Sequence, residues 1–447
     1  MNETPVTRGV ADPSPTPRRL RARRFLRKVW HRLPVDGSGV ISLGSPAGRR
    51  IRAFAAHGFW RRFPAWTRPM LVAAARAVWF VACPIHALQA AAPREPRPSR
   101  RAVARAIWSG WSTGRHPGYT LAHPADRPSG NDAALPWMFD DHQSTLLWQA
   151  IGSALLWQAI GSADEIRLAA DKRETGRALE ALGVPVAPIL AEIRRGTAPA
   201  PNVLALLDDG PVFVKPRRGA RAVGAASVRP VGPGLVSIGN ARPVGRPLLA
   251  AHLTALARRD DVLVQPLLRA TPALLDLSEI PPTLRINTVS PVDGPPFVLS
   301  TLLRVARPGC DTATGTTGAL LVPVRQTDGT LRHGLFYDRP HERYAALPWN
   351  GAPLVGRRLP DFDRAIAAVL TSCRAFPGRP AIGWDVVLTD AGPVVLEANT
   401  SLSWLGLHIA GLETDVAPVL LKVLAGWIDA QERRRRTIVP VDAVPAP

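Results

Sequence analysis

The segment Ile382–Leu402, IGWDVVLTDAGPVVLEANTSL, sets two carboxylates, Asp385 and Glu397, inside apolar runs that read as strands. Val386–Leu388 and Val394–Leu396 are β-branched and apolar, and Thr389-Asp390-Ala391-Gly392 between them is a turn signal. If Asp390–Gly392 is a three-residue loop, Thr389 pairs with Pro393 and Asp385 falls opposite Glu397. Directly opposed side chains have Cβ atoms roughly 5 Å apart, and like charges there repel. Asn399 lies two residues beyond Glu397 and shares its face. Two carboxylates and an amide oxygen at one place suit a hard cation such as Mg²⁺, with nucleotide phosphates as further ligands. The competing reading is that one acid is protonated or pairs with an arginine. Without a cation the two acids are expected to repel, so neutralising either one should not weaken the fold.

The charge balance narrows the partners. A chain of 447 residues has room for two or three domains. Of its 56 basic residues only four are lysines, Lys28, Lys172, Lys215 and Lys422. In so arginine-rich a chain a lysine position is informative, because a compact ammonium is not a guanidinium. Residues 1–62 hold 14 Arg/Lys and 3 Asp/Glu, so +11 of the net +21 lies there, and Arg433–Arg436 form a second basic run. Basic arms meet nucleic acid or anionic lipid. No nucleic-acid motif accompanies these, so nucleic acid is not expected. An anionic membrane surface is the better partner, a merely solvated arm the alternative. Cys83, Cys310 and Cys373 are scattered without metal spacing, which fits a reducing cytosol. The expected location is cytoplasmic, with peripheral contact at the inner membrane face.

Along the chain, residues 1–50 read as a basic, Pro/Gly-rich arm with one basic helix, Arg18–Arg32. Residues 51–164 read as a mostly helical region. Its apolar segment 69–92, PMLVAAARAVWFVACPIHALQAAA, is long enough to span a bilayer. Arg76, Pro84 and the alanine content oppose a span and favour a packed or interfacial helix. The apolar run starts too late for a cleavable signal. Leu146–Ala163 is LLWQAIGSA twice over. Nine residues turn a helix by about 900°, half a turn out of phase, so the duplication reads as one tolerated in a surface segment. From 165 to 430 the texture mixes helices and strands. Asp171–Leu182 is a helix stopped by Gly183. Strands are expected at Pro211–Lys215, Val262–Gln265, Leu284–Val289 and Phe297–Leu303. Asp361–Ala375 is a helix, followed by the hairpin. There is no regular βαβ period, so the class is α+β. Residues 431–447 form a basic tail.

GPVFVKPRRGARAVGAASV (210–228) puts Lys215 at the end of a strand before a loop of small residues, where it can reach phosphates. Ala220 and Ala222 stand in that loop, and alanine adopts positive φ less readily than glycine. VLVQPLL (262–268) is a strand turned by Pro266, and its edge can meet a base. Arg285 in TLRINTV points away from the Leu284/Ile286 face, where a guanidinium can stabilise a transferred phosphoryl group. Together DKRETGRALEALGVPVAP (171–188), FVKP (213–216), VLVQPLLRATPALLDLSEIPPTLRINTV (262–289) and the hairpin (382–402) resemble an ATP-grasp enzyme. More narrowly, they resemble the sugar-transfer-associated ATP-grasp family found with bacterial surface-polysaccharide genes.

The resemblance covers residues 165–427. It implies an ATP-grasp fold, two α+β subdomains clasping ATP, with the nucleotide subdomain at about 200–266. It implies ATP and Mg²⁺ as cofactors. Lys172 and Lys215 would bind phosphates beside Gly219 and Gly224 of the loop, and Gln265 would line the adenine pocket. Arg285 would be the catalytic phosphate contact, and Asp385, Glu397 and Asn399 would hold Mg²⁺. The implied activity is a ligase that converts a carboxylate to an acyl phosphate for attack by an amine or hydroxyl. The substrate would be a small molecule or saccharide in cell-surface polysaccharide or related biosynthesis. Kinase-like transfer to a sugar hydroxyl, and a non-catalytic nucleotide-binding scaffold at the membrane surface, are the alternatives on the same fold.

Overall fold

A computed structural model describes residues 50, 64–92, 97–113, 121, 160–219, 222–313, 318–336, 339–400, 402 and 416–437. Two antiparallel sheets organise it. The smaller has the order β1-β6-β2-β3-β4-β5. Its strands are β1 Ala191–Ile193, β2 Val212–Pro216, β3 Ala226–Gly232, β4 Leu235–Ile238, β5 Val244–Gly245 and β6 Val262–Pro266. The larger has the order β11-β10-β9-β8-β7-β12-β13. Its strands are β7 Thr283–Val289, β8 Phe297–Val305, β9 Leu320–Pro323, β10 Gly334–Phe336, β11 Arg339–Tyr344, β12 Ala381–Thr389 and β13 Gly392–Asn399. The described helices are α1 Arg68–Ala91, α2 Arg100–Thr113, α3 Ala163–Ala170, α4 Lys172–Glu180, α5 Pro201–Ala205, α6 Arg246–Ala257, α7 Phe362–Ser372 and α8 Val416–Thr437. The class is the expected α+β.

Strand periodicity decides which face of the larger sheet is apolar. On β12, Ile382, Trp384, Val386 and Leu388 turn inward and share a core with Phe362, Ala365 and Val369 of α7. Trp384 donates its indole N–H to Thr288 Oγ1 (2.9 Å) and meets Phe376 edge-on at 5.7 Å. That packing commits Gly383 and Asp385 to the opposite face. The smaller sheet buries Val212, Val214, Val228 and Val264 under Leu249, Leu253 and Ala257 of α6. A loop after β8 ties the two sheets together. Ser227 Oγ of β3 donates to Asp311 (3.1 Å), and Asp311 sits where a Cβ on Gly239 would be.

The expected helix at Asp171–Leu182 is α4, and its N-cap is Asp171, whose carboxylate accepts from the N–H groups of Arg173 and Glu174. Gly183 follows at φ +74°. The four expected strands are β2, β6, β7 and β8, each within two residues at its ends. The segment 69–92 is helix α1, which runs through Pro84. Among the described residues no helix is long and apolar enough to cross a membrane. The basic helix at Arg18–Arg32 and the first repeat copy lie outside the described residues.

The duplication requires a correction. The end of its second copy is not a surface segment: Ile160 is fully buried. Gly161 (φ +94°) lies so close to the Gly378 carbonyl that a Cβ there would overlap it. Ser162 N–H donates to Gly378 O (2.9 Å), and Ser162 caps α3. Arg379, also fully buried, donates to Ile160 O (3.0 Å). Burial depresses the Arg379 pKa to about 10, against a smaller upward pull from Glu165.

A second, half-buried cluster fastens α4 to the smaller sheet. Arg217, just past β2, meets Asp171 at 2.8 Å and Glu174, Glu192 and Asp261 at 3.3 Å. Arg218, more exposed, meets Asp171 at 2.9 Å.

Two predictions follow from these joints. Deleting Leu155–Ala163 joins the first LLWQAIGSA directly to Asp164 and recreates the same Ile-Gly-Ser-Ala hook. The melting temperature should therefore stay within a degree or so, whereas Gly161→Val should lower it by several degrees. A deletion variant that fails to fold would mean the first copy is not equivalent. In urea denaturation Arg217→Ala should cost about 2 kcal/mol, because Asp261 loses its guanidinium while Asp171, Glu174 and Glu192 keep Arg218, Arg177 and Arg173. Arg218→Ala should cost under about 1 kcal/mol. Equal losses would contradict the assignment of Arg217 as the hub.

Candidate active site

The site grows from the β12–β13 hairpin. Thr389 pairs with Gly392 rather than Pro393, so the loop is Asp390-Ala391, one residue shorter than expected. Continued regularly, that register would set Asp385 opposite Leu396 and send Glu397 to the core face. A β-bulge between Asp385 and Val386 adds one residue on β13, and Asp385 ends opposite Glu397 after all. Gly383 then faces Asn399. On its other side β12 pairs with β7, which sets Arg285 directly opposite Asp385. Arg285, Asp385 and Glu397 therefore form one row across three neighbouring strands.

Arg285 Nε lies 3.0 Å from Asp385 Oδ1, and Arg285 Nη2 donates to Oδ2 (3.3 Å). Arg304 of β8, two residues beyond the partner of Arg285, reaches Asp385 Oδ1 at 3.3 Å. Burial alone would raise the Asp385 pKa, but Arg285 and Arg304 outweigh it and hold it below the ordinary value. Glu397 has the opposite fate. Burial and then the Asp385 charge raise its pKa, and Lys172 and Lys215 only partly oppose this. Both halves of the competing reading thus describe the metal-free site: one acid pairs with arginines, the other is pushed toward its protonated form. The expected repulsion is therefore borne by Glu397, while Asp385 is answered by two guanidinium groups. Gly383 makes room for this, because a Cβ there would collide with the guanidinium of Arg285.

Asn399 Nδ2 donates to Gly383 O (3.2 Å) and Glu397 Oε1 (3.3 Å), so its amide oxygen is the atom left to offer a cation. Among the described residues no three His, Cys, Asp or Glu side chains come together. The donor set is two carboxylates and one amide, all oxygen, as Mg²⁺ prefers when phosphates supply other ligands. A buried carboxylate with a raised pKa is an anion short of a cation, so the residues fit the ion.

Lys215 ends β2 and is buried; desolvation lowers its pKa to about 8 despite the attraction of Glu397. Lys172 opens α4 and donates from Nζ to Gly219 O (2.8 Å). Gly219 (φ +124°) and Gly224 (φ +79°) take positive φ values that favour glycine, and Ala222 also turns left-handed at φ +55°. Arg217 and Arg218 turn away from this loop to the carboxylates of the α4 cluster. Gln265 is buried, with its side-chain N–H bound to Ala187 O (2.7 Å). β6 is an interior strand, covered by β1 as far as Val264, so only its end from Gln265 onward is open on that side. A cleft of about 390 Å³ joins these parts: Lys172, Lys215 and Glu397 at a polar end, Val186, Ile189 and Gln265 along its walls.

The structure thus gathers Arg285, Asp385, Glu397 and Asn399 on one sheet face, and Lys172, Lys215, Gln265 and Glu397 around one cleft. Sequence reasoning missed Arg304. Its signal was present, a single charge closing the apolar run VLSTLLRV, at the position that shares a face with Arg285 once β7 and β8 pair.

Residues 244–419 match the family model described as sugar-transfer associated ATP-grasp. No curated protein matches the chain. Similar solved structures include the D-alanine-D-alanine ligase of Coxiella burnetii, with 13% identity, 62% of this chain against 63% of that one, and a TM-score of 0.37. Another is the ATP complex of the Bacillus anthracis D-alanine–D-alanine ligase, at 13% identity, 60% against 68%, and 0.36. A third is the Campylobacter jejuni biotin carboxylase complex, at 14%, 60% against 48%, and 0.38. The chain spans less than two thirds of the length of the Coxiella enzyme. The segment 244–419, which carries Arg285, Arg304 and the hairpin, matches the model of the sugar-transfer associated ATP-grasp family.

Proposed function

We propose that the protein is a Mg–ATP-dependent ligase that activates a carboxylate as an acyl phosphate and joins it to an amine or hydroxyl. The observation that carries this reading is the charge around Glu397, where the cleft meets the acidic row. Lys172, Lys215, Arg285 and Arg304 surround Asp385 and Glu397, a formal excess of two positive charges among these six groups. A nucleoside triphosphate with one divalent cation carries about the matching −2. Apolar walls beside the charged end suit a base next to its phosphates.

The chain's own groups divide the work. Lys172 and Lys215 hold phosphate oxygens beside Gly219 and Gly224, where glycine at positive φ lets a ligand approach the backbone. Arg285 and Arg304 supply N–H donors for charge on the transferred phosphoryl group. Asp385, Glu397 and Asn399 would hold Mg²⁺, which when bound neutralises phosphate charge. A substrate carboxylate oxygen attacks the γ-phosphorus and ADP leaves. An amine or hydroxyl then attacks the acyl carbon, phosphate departs, and the nucleophile's proton passes to solvent. Positioning and charge neutralisation suffice, so no protein nucleophile is needed. The sugar-transfer association in the family's description supports a saccharide or its precursor as one substrate, in surface-polysaccharide or related assembly.

Thermal melts test the site. Asp385→Asn should lower the melting temperature without ligand, because Arg285 and Arg304 lose their counter-charge. Glu397→Gln should match or exceed the wild type, because its raised pKa marks an anion held at a cost. With Mg–ATP only the wild type should gain the full ligand stabilisation, about 2.7 kcal/mol at a hundredfold excess over the dissociation constant. Equal destabilisation of both variants without ligand would contradict the division of roles. For the reaction, a mixed carboxylic-acid library with ATP, Mg²⁺ and hydroxylamine should yield ADP and a trapped hydroxamate. A phosphorylated sugar hydroxyl in place of the hydroxamate would overturn the ligase reading.

A further inference from the structure

α1 and α2 form a helical pair with one closed face. Cys83 and Ala87 of α1 are fully buried, as is Ala106 of α2, and the Cys83 thiol donates to Ile107 O (3.4 Å). The other face of α1 is open. Val81, Ile85 and Leu88, at i, i+4 and i+7, are 63%, 49% and 62% exposed. Spacing of this kind sets three apolar side chains in one stripe along the helix. Met70 before them and Trp108 on α2 are exposed as well. Fully burying Val81, Ile85 or Leu88 is worth roughly 1.5–3 kcal/mol each, and about half or more of each is left open.

The charges around the stripe choose its occupant. Neither α1 nor α2 contains an acidic residue, and Arg100, Arg101 and Arg105 lie on the exposed surface of α2. Residues 64–121 hold eight arginines and one acid, Glu95. Residues 1–62 bring 14 more basic groups and 3 acids. By contrast, residues 165–430 are nearly balanced, with 29 basic and 24 acidic side chains. A second copy of the chain would bring the same positive charge to this face and be repelled. A bilayer rich in anionic lipid offers both things the face lacks: phosphates at its surface and apolar depth just below. No described helix can cross a membrane, so the mode is one of lying on the surface.

We propose that the open face of the α1–α2 pair is a docking surface for an anionic lipid bilayer. Val81, Ile85 and Leu88 enter the headgroup boundary while Arg100 and Arg101 contact lipid phosphates. This holds whatever reaction the ATP-grasp segment performs.

The test is co-sedimentation of the full-length protein with phosphatidylcholine vesicles, with and without about 30% phosphatidylglycerol, at about 0.1 M and 0.5 M salt. The wild type should pellet with the anionic vesicles only, and less at high salt. The triple variant Val81→Ser/Ile85→Ser/Leu88→Ser should bind at least tenfold more weakly, and R100E/R101E should also bind more weakly at low salt. Both should keep the wild-type melting temperature, since every altered side chain is exposed. Equal pelleting with neutral vesicles would overturn the proposal, as would undiminished binding by the triple variant. Light scattering that shows a wild-type dimer split by the triple variant would assign the stripe to self-association instead.

Discussion

Asp385 is the pivot of the molecule. It is a buried anion on an interior strand, with a guanidinium opposite it on β7 and a second carboxylate opposite it on β13. The row Arg285–Asp385–Glu397 is stable only if its excess charge is managed within a few ångströms, because burial makes each unpaired charge costly. Without a cation, Arg285 and Arg304 share Asp385, and Glu397 is left with distant help from two lysines. This row is where we propose that a divalent cation binds. Several local features exist to build it: the bulge that keeps Glu397 on this face, the missing side chain at Gly383, and the apolar residues of β12 that commit Asp385 away from the core.

The smaller sheet completes the site by carrying positive charge to the same place. β2 delivers Lys215, and the capping of α4 by Asp171 sets Lys172 beside it. Arg217 binds Asp171 in turn, so the residue that caps the helix is also fixed to the strand that carries Lys215. One cluster thus fixes the spacing of the two lysines. Ala222, beyond Lys215, holds at φ +55° a left-handed conformation that glycine adopts more easily, at roughly 1–2 kcal/mol of strain.

The facing of the two acids was legible from the sequence because strand alternation and a turn signal are local properties. The loop length was read one residue too long, and the bulge, which no residue type announces, cancelled that error. The hydrophobic strands β2, β6, β7 and β8 were legible for the same reason. β3, β4 and β5 were not, since Pro and Gly interrupt β3, while β4 and β5 are only four and two residues long, and all three are held by pairing across the sheet. Arg304 and the Arg217 cluster escaped notice because their partners are remote in sequence: Arg304 meets Asp385 across 81 positions, and Arg217 meets Asp171 across 46. In a chain with so many arginines, only the fold distinguishes the few that are buried and paired. The duplication looked superficial for the opposite reason. Its repeat is conspicuous, but the contact of its last residues with Gly378 and Arg379 appears only in three dimensions.

The central claim is that the acidic row is completed by a divalent cation and nucleotide phosphates. Anomalous diffraction from crystals grown with Mn²⁺ and a non-hydrolysable ATP analogue tests it most directly. The account predicts a Mn²⁺ peak bounded by Asp385, Glu397 and Asn399, with the analogue's phosphates between it and Lys172 and Lys215. An analogue bound with no metal at that row, and Arg285 and Arg304 still seated on Asp385, would contradict it.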